Sequence, residues 1–311
     1  MDINELEKLR KKIVLNKVTI YLIYLALYPV FIILCNQYLK TYIENGAGIA
    51  VYVVGIVFFI VFTTITDNIV NKKNLNFFIR KYKERFVENT FKQVFDNFTY
   101  EPNQGLSKER FRETNILEYD DIYSSNDYMQ GTYHNTSFEI ADVEIKEEHT
   151  STDSDGHRNT YYLTVFLGKW FIFNFNKNFK NNLQIVEKDF KTFNERNWGN
   201  EKLHKLELES VSFNKDFKVY CHDDHEAFYI LTPNFINNIE NLCKKTKGYI
   251  VLGFMNNQLH IGLNTLKDSF EPNIFRKIDE NVISNEVNNN IKEIITFIDE
   301  LGLDNNLFKE N

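Results

Sequence analysis

Cysteine, proline and glycine are scarce in this sequence, which has 3 Cys, 4 Pro and 12 Gly among 311 residues. Three scattered cysteines are too few for a disulfide framework or a cysteine zinc cluster. The low proline and glycine content excludes collagen-like repeats and wholesale disorder. Because 43% of the residues are hydrophobic and 25% are charged, the composition is that of a folded globular protein.

Positive charge is also in deficit, since 36 basic residues face 43 acidic ones and the formal net charge is −7. A general nucleic-acid binder needs a basic footprint, so nucleic acid is not an expected partner. The sequence has no Gly-x-Ser-x-Gly elbow, no phosphate-binding loop and no Gly-x-Gly-x-x-Gly fingerprint. We therefore expect no catalytic residue and no cofactor, and an enzyme is the less favoured class.

Two long runs lack charge altogether, Val18–Leu39 and Asn45–Thr66. Each has 22 residues, which as a helix measures about 33 Å and can cross a hydrocarbon core of about 30 Å. The short spacing between them predicts a transmembrane helical hairpin over residues 18–66, with the lipid bilayer as its partner. A buried hairpin in a soluble core is the alternative. A cleaved signal peptide is disfavoured because no small residue follows Leu34 where a peptidase would need one.

The flanking charges predict the orientation of this hairpin. Residues 1–85 carry 12 basic and 6 acidic side chains, whereas residues 86–311 carry 24 and 37. The basic residues lie before the first run and after the second, and the turn between them offers only Lys40, offset by Glu44. Positive charge stays on the cytoplasmic side, so we expect a multi-pass protein of the plasma (inner) membrane with both termini in the cytoplasm.

The remaining periodicity predicts an α+β architecture: an N-terminal transmembrane hairpin, a helix, and a mixed, strand-rich cytoplasmic domain. The expected parts are a basic N-terminus (1–17), the hairpin (18–66), an amphipathic connecting helix (67–99) and the α+β domain (100–311). Helical spacing runs from Leu75 to Phe98, and a partner-binding or surface-lying helix is the alternative there. Short strands follow, with Gly131 and Gly168 at turns or bulges. The strands are expected at 128–133, 137–145, 160–167, 170–175, 183–186, 203–211, 217–221, 227–231, 249–255 and 258–263, and helices at 234–247 and 284–301.

One run of metal-ligating side chains, His222-Asp223-Asp224-His225-Glu226, lies between two of the expected strands. Imidazoles and carboxylates are zinc ligands. However, a helix would be needed to bring His222 and Asp223 to one face with Glu226. A solvated turn is favoured, so no metal is expected, and His222, Asp223, His225 and Glu226 are kept as the candidate ligands. The other histidines suggest no second cluster, and Cys221 and Cys243 lie in apolar contexts typical of inert packing.

A second run, Asp153-Ser154-Asp155-Gly156, has some calcium-loop character. The calcium loop needs a glutamate at its twelfth position, where this chain has Thr164. A hairpin turn is therefore favoured for this stretch.

Several segments together resemble a bacterial family known as domain of unknown function 3137. They are 137–144 (SFEIADVE), 165–180 (VFLGKWFIFNFNKNFK), 206–233 (LELESVSFNKDFKVYCHDDHEAFYILTP) and 270–275 (FEPNIF). The resemblance implies a membrane-anchored protein with no established activity, cofactor or catalytic residue. It also marks Asn174, Asn176 and Lys177 as a candidate binding loop, for which a polar hairpin is the alternative. The chain departs from the family at Lys169-Trp170, where a small aliphatic residue and an aromatic one are usual.

These observations favour a non-enzymatic, membrane-anchored interaction or scaffold module with a protein partner in or at the membrane. The alternative is a membrane-bound, metal-dependent hydrolase centred on His222–Glu226. An oligomeric channel built from the hairpins is a third hypothesis.

Overall fold

The computed structural model describes residues 1–38, 48–114, 116–117, 122–152, 158–174, 182–188, 190 and 203–304. These residues fall into two compact units. The first unit comprises Met1–Phe86 and Glu271–Ile283, and the second comprises Val87–Phe270 and Ser284–Asn311.

Two long helices dominate the first unit. Helix α1 spans Ile3–Tyr38 and helix α2 spans Gly48–Tyr82, and the chain continues from α2 through a π-helical turn, Lys83–Glu88, and a helical turn, Asn89–Phe91. Both helices are long and apolar enough to cross a membrane, and only 11% of their most apolar windows is buried. Two such helices suggest membrane association.

The two helices pack against each other in antiparallel fashion. Tyr28 and Phe31 of α1 meet Phe59 of α2, with ring centroids 5.2 and 5.4 Å apart. Towards the N-terminal end of α1, the Lys17 ammonium pairs with the Asp67 carboxylate, and both side chains are largely buried. Lys17 directly precedes the first uncharged run and Asp67 directly follows the second, so this charged pair lies just outside the predicted spans.

A later segment belongs to the same unit, and we call Glu271–Ile283 the return segment. The Arg10 guanidinium donates to the Ile274 carbonyl at 2.7 Å, and the Ile278 amide donates to the Glu7 carboxylate at 3.2 Å. Arg10 and Glu7 also form an ion pair at 2.7 Å. The sequence placed this segment in the domain 100–311, because hydrogen bonds between residues this far apart leave no local pattern.

The second unit is built on an antiparallel sheet. In the part of the chain that the structure describes it has nine strands in the order β1-β2-β3-β4-β9-β8-β5-β7-β6. The strands are β1 (Asp96–Glu101), β2 (Ile122–Tyr133), β3 (Thr136–Thr152), β4 (Arg158–Asn174), β5 (Leu183–Glu187), β6 (His204–Leu206), β7 (Phe217–Cys221), β8 (Tyr249–Met255) and β9 (Gln258–Asn264). The helices are α3 (Lys108–Thr114), α4 (Val211–Asp216), α5 (Asp224–Ile230), α6 (Pro233–Lys245) and α7 (Glu280–Leu301). This arrangement confirms the α+β class.

The second half of β4 is covered on both faces of the sheet, and its residues 169–173 are all buried. On one face Trp170 packs edge-to-face on Phe111 of α3, with ring centroids 4.7 Å apart. On the other face Phe171 packs in the same way on Phe297 of α7, also at 4.7 Å. Alternation along a strand sends successive side chains to opposite faces, which explains why the run Trp170–Phe173 is apolar throughout.

The far ends of β3 and β4 form a two-stranded extension, which we call the β3–β4 arm (147–152 and 158–164). Within the described chain, the residues of the arm pair only with each other. The first residue of β2 lies opposite Lys146, and β9 pairs with β4 only from Gly168 onwards. Tyr161, Tyr162 and Leu163 are 47%, 50% and 48% exposed there. Consecutive exposed residues mean that both faces of the arm are open.

Several secondary-structure predictions were wrong. Residues 227–231 were expected as a strand, but α5 covers Asp224–Ile230 because the Asp223 side chain caps it. Helical spacing was expected to run to Phe98, but β1 begins at Asp96. Residues 203–211 were expected as one strand, but only His204–Leu206 is extended, and α4 follows.

Gly168 was expected at a turn or bulge, yet it lies inside the continuous strand β4. A Cβ there would lie 2.0 Å from the Leu263 carbonyl oxygen. This glycine therefore permits the close approach of β9. Gly131, given the same role, likewise lies within β2.

Candidate functional site

The predicted histidine and acid run lies where β7 passes into α5. Cys221 is the last residue of β7, and Asp223 is the N-cap of α5, with its carboxylate accepting from the Glu226 amide at 2.9 Å. Asp223 is thus engaged in helix capping. His222 and His225 are exposed, and Glu226 is half-buried in the first turn of α5.

One residue of this run joins a group that the sequence did not predict. Asp224 lies beside Cys221 and beside His204 of the edge strand β6. The distance from Nε2 of His204 to Oδ1 of Asp224 is 2.6 Å, and the Cys221 sulfur is 3.4 Å from the same oxygen. The Cys221 sulfur is 3.8 Å from His204 Nε2. We call these three residues the His204–Cys221–Asp224 group.

The electrostatics of this group favour a protonated thiol. Burial raises the pKa of the Cys221 thiol to about 12, and its hydrogen bond to Asp224 acts in the same direction. The hydrogen bond with His204 lowers the pKa of the Asp224 carboxyl. Because a thiol, unlike a thiolate, is a poor nucleophile, the pair of His204 and Cys221 does not have the electrostatics of an activated cysteine.

Sequence reasoning missed this group because strand register brings it together. His204 stands directly opposite Cys221 in the β6–β7 ladder, although 17 positions separate them in the chain. The sequence did contain one local signal for this group: Cys221 and Asp224 are three residues apart, at the end of β7 and the start of α5. It was overlooked because residues 227–231 were expected to be a strand.

A second group of acids, Asp127, Asp142 and Asp268, lies where β2 and β3 meet the chain that follows β9. Asp127, Asp142 and Asp268 offer carboxylate oxygens within 4.8 Å of one another, and Asp127 and Asp142 are buried. The Tyr100 hydroxyl donates to Asp127. One oxygen of Asp142 accepts from the Ser269 amide at 3.2 Å, whereas its other oxygen has no hydrogen-bond partner among the described residues.

Burial, with repulsion from Asp127 and Asp268, raises the pKa of Asp142 well above its ordinary value. Oxygen ligands of this kind suit a hard cation such as Ca²⁺ or Mg²⁺. Protonation of Asp142 relieves the same repulsion without an ion.

Lys169, the departure from the family pattern, lies opposite Asp142 in the β3–β4 ladder. It is 4% exposed, and its ammonium donates to Asn290 and Glu293 of α7. A buried lysine needs such partners. In this chain the residue therefore ties β4 to α7.

The candidate binding loop is described only in part. Asn174 ends β4, and its amide donates to the Ser137 hydroxyl, whereas Asn176 and Lys177 lie outside the described residues, as does the run Asp153–Gly156. Asn174 lines an open cavity of about 250 Å³ together with Gln130, Ser137 and Glu139, among others. The polar lining is consistent with a small polar ligand.

Glu139, which lines this cavity, is held in place by hydrogen bonds. The Arg110 guanidinium donates to both of its oxygens, and the Tyr128 hydroxyl donates to one. Burial acts to raise the pKa of Glu139, but the Arg110 and Tyr128 hydrogen bonds outweigh it and lower this pKa. Glu139 is thus an ionised anchor of the sheet.

Residues 164–303 match the model of a family described as protein of unknown function (DUF3137). The family resemblance is confirmed over these residues. The DUF3137 match runs from β4 to the end of α7 and contains Lys169, Asn174 and the His204–Cys221–Asp224 group. Comparison with curated proteins finds no sequence match.

One solved structure with a similar course of the chain is the crystal structure of the mycobacterial trehalose monomycolate transport factor A, TtfA. The similarity covers 72% of this chain and 94% of that chain, at 9% sequence identity and a TM-score of 0.38. A likeness of this size supports no statement about function.

Proposed function

We propose that this protein is a membrane-anchored, non-enzymatic interaction module, with α1 and α2 as its anchor and the second unit as the part that binds a protein partner. The observation that carries the proposal is the apolar surface of the two helices. Leu25, Ile33 and Val54 are 70%, 64% and 66% exposed, and most of their apolar neighbours are exposed too. A bilayer would cover this surface, which is too extensive for a protein in water.

The proposed orientation places both termini in the cytoplasm of the plasma (inner) membrane. The basic residues that precede the first apolar run include Lys8, Lys11 and Lys12, and those after the second include Lys72 and Lys73. Basic residues that flank membrane spans are generally retained on the cytoplasmic side, which supports a cytoplasmic location for both termini. We keep the proposed division of the sequence into a basic N-terminus (1–17), a transmembrane hairpin (18–66), a connecting helix (67–99) and a cytoplasmic α+β domain (100–311).

The β3–β4 arm is the surface that we propose contacts the partner. A two-stranded ribbon is only marginally stable by itself, and here the ribbon exposes Tyr161, Tyr162 and Leu163. Cross-strand contacts pre-order it, because the Tyr162 hydroxyl donates to Glu148 at 2.9 Å and His149 stacks on Tyr161 at 5.5 Å. An ordered arm with exposed aromatic residues has the composition of interface hot spots.

Site-specific photo-crosslinking in cells that express the full chain tests this proposal. A photoreactive side chain is placed in turn at Tyr161, Tyr162 and Leu163, and, as the control, at Val211, which is 83% exposed on α4. Membranes are then isolated and adducts are identified by mass spectrometry. We expect one discrete protein adduct from the arm positions and none from Val211.

Three results would contradict the proposal. The first is that no discrete adduct forms from any arm position in native membranes. The second is that the arm and Val211 give the same adducts, as non-specific collision would. The third is that alkaline carbonate extracts the protein from membranes, because an anchor of two spanning helices resists such extraction.

A metal-dependent hydrolase is the second candidate, and the His204–Cys221–Asp224 group is the observation that favours it. It differs from the expected centre at His222–Glu226, because only Asp224 belongs to both. Zinc-dependent hydrolysis of ester or amide substrates by the purified chain, abolished by His204→Ala, would favour the hydrolase over the interaction module.

A further inference from the structure

We infer that His204, Cys221 and Asp224 bind one Zn²⁺ ion at the edge of the sheet. The inference is independent of the proposed interaction function and rests on three mutual distances. A tetrahedral zinc ion with ligands at about 2.0–2.3 Å holds neighbouring ligand atoms about 3.3–3.7 Å apart. The sulfur-to-oxygen distance of 3.4 Å lies within this range, and the sulfur-to-nitrogen distance of 3.8 Å lies about 0.1 Å above it.

The third distance differs for a simple reason. Nε2 of His204 and Oδ1 of Asp224 are 2.6 Å apart because they share a hydrogen bond. A metal ion that replaces the shared proton requires these two atoms to separate by about 0.7 Å, to the spacing of tetrahedral ligands. Both side chains are about half exposed, so small rotations at the surface supply this movement.

The types of the three ligands select the metal. A thiolate and an imidazole suit Zn²⁺, whereas Ca²⁺ and Mg²⁺ prefer oxygen ligands throughout. Three protein ligands also leave a fourth position, which water fills in zinc sites of this composition. Zinc binding releases the thiol proton of Cys221 to solvent. His204 would bind through Nε2 as a neutral imidazole, so the proton leaves Nε2 and the ring proton is carried on Nδ1.

The fold fixes these ligands before any ion arrives. Cys221 is paired with His204 on one side and with Leu183 of β5 on the other, so its backbone is held within the sheet. Asp224 is the first residue of α5, whose start is fixed by the Asp223 cap. Because Cys221 is buried and the other two ligands are exposed, the ion can enter from solvent and reach a sulfur that is shielded from it.

The inference is tested on the full chain, purified in detergent, stripped with a chelator and titrated first with Zn²⁺ and then with Co²⁺. We expect one equivalent of zinc by elemental analysis. The cobalt form should show a thiolate-to-metal charge-transfer band and the intense d–d absorption of tetrahedral cobalt. The unmodified protein gives this result by itself, so the test does not depend on a variant that folds.

Variants then assign the ligands. Cys221→Ser, His204→Ala and Asp224→Ala should each weaken zinc binding by about tenfold or more, since even the loss of an outer-shell partner costs that much. Cys243→Ser, His222→Ala and His225→Ala are the matched controls and should bind zinc as the unmodified chain does. Circular dichroism of each variant checks that it is folded.

Several outcomes overturn the inference. They are less than a stoichiometric amount of zinc, a cobalt spectrum without a thiolate band, or equal effects of Cys221→Ser and Cys243→Ser. Loss of zinc on His222→Ala or His225→Ala, with His204→Ala unaffected, would place the ion on the acid and histidine run instead.

Discussion

Asp142 is a buried acid of the sheet with an unfavourable environment for its charge. It is 3% exposed, one of its oxygens accepts no hydrogen bond from any residue that the structure describes, and Asp127 and Asp268 lie close by. Its pKa is raised above the value in the unfolded chain. The unfolded chain therefore ionises first as pH rises, and the folded state loses stability between the ordinary aspartate pKa of about 3.9 and the raised one.

We expect Asp142→Asn to stabilise the full chain in detergent at neutral pH by about 1–3 kcal/mol, because the amide cannot ionise, and burial of an unsatisfied group costs at least that much when the group is charged. The difference should shrink as pH falls below about 3.9, the ordinary aspartate pKa, where the wild-type carboxyl becomes protonated in both states. Thermal unfolding as a function of pH measures this, with Asp96→Asn, an exposed position on β1, as the control. A less stable variant at neutral pH would show that the Asp142 carboxylate is ionised and compensated.

His260 should lower the stability of the folded chain as pH falls, whereas Asp142 lowers it as pH rises. Burial lowers its pKa to about 4, with the Arg110 charge contributing, and its Nδ1 accepts from the Trp170 indole at 3.3 Å. As pH falls below about 6.5, His260 is protonated in the unfolded chain but stays neutral in the folded chain. The folded state therefore loses stability until the pH reaches about 4. The loss from this residue amounts to about 3 kcal/mol.

We expect His260→Gln, which keeps an acceptor for the indole, to flatten the acid side of the stability profile. His225→Gln, at an exposed position of α5, should leave the profile unchanged. Chemical denaturation at several pH values checks both. If the two variants show the same acid slope as the wild-type chain, His260 is not the titrating group.

At the scale of elements, the packing of α1 on α2 depends on Gly55. A Cβ at this position would lie 2.3 Å from the edge of the Phe31 ring. We expect Gly55→Leu to destabilise the helical pair by about 1–3 kcal/mol through overpacking, although the better helix propensity of leucine offsets about 0.8 kcal/mol. Unfolding with sodium dodecyl sulfate in mixed micelles measures the change.

Val57→Leu is the control for this substitution, since Val57 is 54% exposed on the same helix. A bulkier side chain at this exposed position should leave the unfolding curve where it is. Equal effects of the two substitutions would show that Gly55 does not lie at the contact between the helices.

The elements differ in how well the sequence predicts them. Strand β8 was predicted at its observed ends, and β9 within one residue, because the Asn256-Asn257 turn and the apolar runs around it act locally. Helix α5 was missed because Phe228, Tyr229 and Ile230 have strand propensity, whereas the Asp223 cap and the Glu226 that follows favour a helix. A cap outweighed propensity in this short segment.

Sites were harder to predict than elements. The His204–Cys221–Asp224 group needs the β6–β7 register, and the Asp127–Asp142–Asp268 group needs β2, β3 and the chain after β9 together. Residue types alone cannot supply contacts between strands that are distant in sequence. Asn174, marked by family resemblance, is the one member of the candidate binding loop that the structure describes.

At the scale of the whole molecule, the proposed topology places the C-terminal part in the cytoplasm. A fluorescent protein fused after residue 304 should fluoresce, and alkaline phosphatase fused at the same point should be inactive, because it matures only outside the cytoplasm. Fusions after Tyr38, between the two helices, should give the opposite pair of results. An active phosphatase after residue 304 would reverse the assignment.

The order of strands in the sheet has a consequence for how this chain matures. Strand β4 finds its neighbour β9 only after the intervening β5 to β8 have been made. Synthesis runs from the N-terminus, so α1 and α2 leave the ribosome well before that neighbour exists. The central ladder must therefore close late in synthesis, after α1 and α2 have left the ribosome, and until then one edge of β4 lacks its partner β9.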